Sequence, residues 1–101
     1  MQPEEAPVVD DAANHRFHFT EGGVDAELVY QLEGDRLIVL HTQVPEAFRG
    51  RGIAGRLVQA VADRAKSSGE TVVPWCPYAG KWLKDQPDVA AGIKIDWSPP
   101  G

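Results

Sequence analysis

Between His15 and Thr20 apolar and polar residues alternate, with Phe17 and Phe19 on one side and Arg16, His18 and Thr20 on the other, which is the period of a half-buried strand. The period returns where Ala26, Leu28, Tyr30 and Leu32 alternate with Glu27, Val29, Gln31 and Glu33. Glu21-Gly22-Gly23 before this run and Gly34-Asp35 after it carry turn chemistry, so consecutive hairpins are expected. Leu37-Ile38-Val39-Leu40 is apolar on both faces, placing the strand from about Arg36 to Val44 inside the sheet, and Pro45 ends it. The period then lengthens. Ile53, Leu57, Val58, Val61, Ala62 and Ala65 recur at helical spacing opposite Arg56, Gln59, Asp63, Arg64 and Lys66, and Ser67-Ser68-Gly69 supplies a stop. Thr71 to Cys76 reads as another short strand, and strand, helix, strand in this order predicts a right-handed crossover with the two strands parallel. Pro74 has no N–H, so pairing breaks near it. Further on, Tyr78 to Lys84 forms a helix with Trp82 and Leu83 inward, and Ile93 to Trp97 a last short strand.

Length and charge narrow this picture. A chain of 101 residues holds one core. Residues 1–14 combine two prolines, four acids and few bulky apolar groups and are expected to be a disordered N-terminal tail, leaving 15–101 as the domain. Ten Lys and Arg against fifteen Asp and Glu give a net charge of −5, which argues against coating nucleic acid or an anionic membrane. No apolar run reaches the roughly 20 residues of a membrane span. The start, MQPEEAPVVDD, is acidic where a secretory signal is basic and then apolar, so a cytoplasmic location is expected. Cys76 is the single cysteine and has no internal disulfide partner; His15, His18 and His41 complete no metal set, and no metal is assigned. The expected assembly is a monomer or weak dimer.

Against that acidic background the junction VPEAFRGRGIAGRL, residues 44–57, concentrates three glycines and three arginines. Gly50, Gly52 and Gly55 free the backbone and remove Cβ atoms from the path of a ligand. The first turn of the following helix leaves amides without internal partners, and with the helix dipole they form a seat for phosphate oxygens to which Arg49, Arg51 and Arg56 add charge-assisted hydrogen bonds. The Walker triplet is absent. Gly50, Gly52 and Gly55 have the spacing of the dinucleotide fingerprint, but the unit follows an antiparallel hairpin and no acidic ribose partner follows.

Arg49-Gly50-Arg51-Gly52-Ile53-Ala54 resembles the Arg/Gln-x-x-Gly-x-Gly/Ala signature of the GNAT superfamily of N-acetyltransferases. Together with His41-Thr42-Gln43-Val44-Pro45 and Pro74-x-Cys76-Pro77-Tyr78 it is similar to the small GNAT-like family of predicted acetyltransferases of the YjdJ or NATD type, over residues from about His15 to Pro87. The resemblance implies an α/β (α+β) minimal GNAT-like acyl-CoA N-acyltransferase fold. In it a mostly antiparallel sheet has a fourth strand that enters the pyrophosphate loop and helix and crosses over to a parallel fifth strand. These two strands splay and pantetheine lies in the gap. Carried over by position, the backbone of Thr42, Gln43 and Val44 pairs with pantetheine and the amides of Arg49, Gly50, Arg51, Gly52, Ile53 and Ala54 hold the pyrophosphate of acetyl coenzyme A.

Acetyl transfer from a thioester needs a proton acceptor for the nucleophile and stabilisation of the carbonyl oxyanion. The two strands flanking the helix carry no carboxylate, only nearby Glu46, and Gln43 stands where many relatives of the resembled family have an acid. His41 is the remaining titrating group, competing with a role as a hydrogen-bonded core histidine. Cys76 takes the acetyl group first, or packs as a small apolar side chain. Tyr78 donates a proton to the departing thiolate, or only stacks with Trp75 and Trp82. The expected function is acetyl-CoA-dependent N-acetyltransfer to an amine, either a small amine or a lysine of a peptide or protein. The alternatives are a non-catalytic coenzyme A-binding module or an interaction domain that keeps the fold.

Overall fold

The structure, a computed structural model, describes residues 7–100. A six-stranded sheet runs in sequence order: β1 (Val9–Asp11), β2 (Arg16–Glu21), β3 (Val24–Glu33), β4 (Arg36–Gln43), β5 (Thr71–Pro74) and β6 (Lys94–Ile95). The first four are antiparallel neighbours. β5 lies parallel to β4, and β6 parallel to β5. Helix α1 (Ile53–Ser68) makes the first crossover, and α2 (Pro77–Asp85) with α3 (Pro87–Ala91) makes the second. This is the mixed α/β sheet, antiparallel and then parallel, that the resemblance implied.

The helical and strand periods meet in one cluster. Ile53, Leu57, Val58 and Val61 of α1 and Ala79 and Leu83 of α2 pack on Phe17, Phe19, Leu28, Tyr30, Leu37, Val39 and Val72 of the sheet. Each large side chain buried here contributes about 1.5–3 kcal/mol. The alternate strand positions, Arg16, His18, Glu27, Val29 and Gln31, point to the opposite face.

Two elements depart from the pattern reading. The tail expected through Asn14 gives way at Val9 to β1, which pairs Val9 with His18 and Asp11 with Arg16. This strand is too short and acidic to alternate. Backbone pairing holds it, together with the Asp10 carboxylate, which accepts hydrogen bonds from Tyr30 and Arg64. Periodicity found two strands before Arg36; β1 makes Arg36–Gln43 the fourth. Residues 1–6 of the expected tail lie outside the described residues. The second departure is α3, a five-residue helix with Pro87 in its first turn, in a stretch to which the sequence pattern assigned no element.

Candidate active site

β4 and β5 part company at a definable point. Their pairing runs from Arg36 opposite Thr71 to Val39 opposite Pro74, and Cys76 N–H then closes it on the Val39 carbonyl at 3.0 Å. Pro74 has no N–H to continue the ladder, and the amide of Trp75 turns back to Val73 O at 3.0 Å. β4 continues to Gln43 with β3 alone, pairing Thr42 with Leu28 and Gln43 with Glu27. Its β5-facing edge is therefore open over Leu40 to Gln43.

A bulge sits at the same place. Tyr30 pairs with Val39 but Val29 pairs with His41, so Leu40 is an extra residue on β4. His41 shares the face of Val29, away from the helices, and is exposed. Leu40 is 36% exposed. Thr42 shares the helix-side face of Leu28, and its Oγ1 lies 3.6 Å from Cys76 Sγ, with Cys76 buried at the base of the opening. Tyr78, in the first turn of α2, is 41% exposed. Burial, then the nearby Cys76, raises its pKa above the ordinary tyrosine value. The structure thus brings Thr42 and Cys76 together, puts Tyr78 close by at the surface, and gives His41 to the opposite face.

The chain enters α1 at the same end of the sheet. Gly52 occupies the N-cap position with φ 74°, which a side chain adopts only under strain, and it supplies no side-chain cap. The amide of Arg49 is bonded to Glu46 O at 3.0 Å and that of Arg51 to Phe48 O at 3.2 Å, both acceptors belonging to the turn of Glu46–Phe48. Arg56 N–H makes the first bond of the helix, to Gly52 O at 3.1 Å. The amides of Gly50, Gly52, Ile53, Ala54 and Gly55 have no partner among the described residues.

The three arginines divide their roles. The guanidinium of Arg51 reaches Glu21 with two bonds, at 2.7 and 3.2 Å. That of Arg56 lies over the Phe19 ring at 5.0 Å. Arg49 is exposed and, among the described residues, has no ion-pair partner, so it is the cation next to the open amides. Gly55 was expected to admit a ligand, but it serves packing instead: a Cβ there would stand 2.8 Å from Trp82 Nε1, so its absence lets α2 approach α1. Pattern reading missed the Leu40 bulge, the Thr42 hydroxyl and Glu21. The apolar run at Leu40 carries no bulge signal, and Glu21 is 30 residues from the arginine it binds.

Open amides, one cation and a strand edge that starts at the same end suit a diphosphate carrying an amide-bearing arm. Among the described residues no group of three or more His, Cys, Asp or Glu is placed to hold a metal, and no helix is long and apolar enough to cross a membrane.

Comparison with known proteins points the same way. The sequence profile of the family described as GCN5-related N-acetyl-transferase matches residues 16–92. The chain is 40% identical over 63 residues to Protein NATD1 of Mus musculus, a match covering 61% of this chain and 57% of that protein. Against Protein NATD1 of Homo sapiens the identity is 40%, covering 61% and 56%. The aligned part therefore spans little more than half of these relatives. The NMR solution structure of a GCN5-like protein from Staphylococcus aureus superimposes with a TM-score of 0.66 at 20% identity, covering 83% of this chain and 84% of that one, a likeness that bears on the fold alone.

Proposed function

The chain belongs to the GCN5-related N-acetyltransferase family, and from that premise we propose that it binds acetyl coenzyme A and transfers the acetyl group to an amine. One observation carries the reading: the unpaired amides at the start of α1 and the unpaired edge of β4 beyond Val39 open at the same end of the sheet. A diphosphate is held by Gly50, Gly52, Ile53 and Ala54 with Arg49 beside it, and the pantetheine arm pairs with the backbone of Thr42 to Val44.

The bound thioester supplies an activated acyl carbon. The chain's part is to hold and to move protons. A backbone amide on the unpaired edge of β4 would stabilise the developing oxyanion. His41, exposed on the helix-free face, accepts the proton of the incoming amine. Tyr78, kept protonated by its raised pKa, donates to the departing thiolate. Cys76, 4% exposed and 3.6 Å from the Thr42 hydroxyl, shapes the base of the opening. Its burial favours direct attack by the amine over an acetyl-cysteine. An acidic chain suits a cationic acceptor, either a polyamine or a lysine-bearing peptide.

Calorimetry with acetyl coenzyme A tests the binding step. Micromolar binding is expected, and Arg49→Ala weakens it about tenfold by removing one charge-assisted bond. No binding by the wild type at millimolar ligand, or an unchanged Arg49→Ala, sinks the reading. Binding without acetyl transfer to any lysine peptide or polyamine leaves a coenzyme A-binding module, and an acetyl group on Cys76 by mass spectrometry replaces direct attack with the two-step route.

A further inference from the structure

Glu21 stands at the end of β2, opposite Val24 in the β2–β3 hairpin, far in sequence from the loop it touches. Its carboxylate accepts from Arg51 Nη1 at 2.7 Å through Oε1 and from Nη2 at 3.2 Å through Oε2, an end-on fork. The same guanidinium lies over the ring of Phe48, with its carbon 5.5 Å from the ring centroid. Phe48 is buried and meets Phe19 of β2 edge-on at 5.2 Å. Arg51 is therefore fixed between an aromatic face and a carboxylate, both anchored to β2.

Its neighbours in the chain are two glycines in the left-handed region. Gly50 and Gly52 flank Arg51 with φ of 80° and 74°, and a Cβ at either would meet nothing within 4 Å. Their amides are two of the open donors. Ordering a free residue costs about 1–2 kcal/mol, so a loop already ordered before the anion arrives binds it more tightly than one that must be ordered on binding.

We propose that Glu21 is a positioning residue for the anion site: by clasping Arg51 it holds the Gly50–Gly52 loop in its binding shape before ligand arrives, and Arg51 is spent on this task instead of on phosphate. The inference rests on the acetyl coenzyme A reading for its ligand, while the ordering of the loop is a property of the free protein. The hydrogen bond from Arg51 holds the Glu21 carboxyl below its ordinary range against a smaller opposing effect of desolvation, so the clasp persists into mildly acidic solution.

The test is a cycle of Glu21→Gln, Arg51→Gln and the double variant, read by calorimetry with free coenzyme A and by amide hydrogen exchange of the unliganded protein. Each single variant is expected to weaken coenzyme A about fivefold, the range of a well-formed exposed ion pair. The double variant is no weaker than either single one, because both break the same clasp. Exchange at the bonded loop amides of residues 49 and 51, which donate to Glu46 O and Phe48 O, quickens in all three, kcat at saturating acetyl coenzyme A is unchanged, and Glu21→Asp recovers part of the loss. Tighter binding by Glu21→Gln overturns the proposal, since it means a released Arg51 reaches phosphate. Additive losses overturn it as well. If the wild type binds no coenzyme A, the functional reading fails by itself, and unchanged exchange at the bonded amides of residues 49 and 51 in Glu21→Gln is then the result that removes the clasp.

Discussion

The two ends of α1 are built on opposite rules. At its C-terminal end nearly every polar group is matched. Gly69 N–H bonds Ala65 O at 2.8 Å. Arg64 forks onto Glu70 at 2.9 and 3.0 Å and donates to Tyr30 Oη at 2.7 Å and Asp10 at 3.0 Å. Tyr30 in turn donates to Asp10 at 2.8 Å, and Ser68 to Glu70 at 2.7 Å. This one network joins β1, β3, α1 and the approach to β5. At the N-terminal end a glycine stands where Ser, Thr, Asp or Asn would add roughly a few tenths of a kcal/mol, and five successive or near-successive amides stay open. A helix that saturates one end and leaves the other open divides, on the proposed reading, stability from binding between its termini. The open end is where the proposed ligand completes the bonding.

That division can be broken from either side. Arg64→Met should have the largest effect, about 2–3 kcal/mol lost in denaturant unfolding, because the carboxylates of Asp10 and Glu70 lose their shared cation in a partly buried place. Coenzyme A affinity should not change; a parallel loss would show that the two ends are coupled. Gly52→Ala should reverse the profile. The left-handed conformation costs a side chain about 1 kcal/mol, with open space around the new Cβ, and the loop shifts, so affinity falls more than stability.

The smallest effect is on pH dependence, and it belongs to the saturated end. Burial, then the Asp10 hydrogen bond, pushes Tyr30 up to about 12 from 10.0, outweighing Arg64. The folded state keeps this proton after the unfolded chain has lost it. Stability should therefore hold to about pH 10 and fall between 10 and about 12, and Tyr30→Phe should flatten that limb. Burial raises Glu70, but the hydrogen bonds from Arg64 and Ser68 prevail and its pKa lies below 4.5. Its contribution is present above 4.5 and is lost as pH falls through the lowered folded value. Chemical denaturation across both limbs checks the signs, and a flat alkaline limb in the wild type would remove Tyr30 from the network.

The alternations through Phe17–Phe19 and Ala26–Leu32, the two-sided apolar run at Leu37–Leu40 and the helical period from Ile53 to Ala65 were enough to specify the central strands, the crossover helix and the parallel return. They work because side-chain period and buried face are set locally, residue by residue. Pro74 also announced, from its missing N–H, where the pairing of β4 and β5 stops. The glycine and arginine letters of residues 49–56 pointed to the proposed anion seat but did not say which arginine is left to serve it. Tertiary contacts decided that: Glu21 takes Arg51, the Phe19 ring takes Arg56, and Trp82 explains Gly55. Likewise β1 exists because an otherwise weak acidic stretch finds β2, Tyr30 and Arg64. Periodicity is written in neighbours along the chain, whereas the partner of a charge or the room for a Cβ is fixed only when distant segments are brought within a few ångströms of each other.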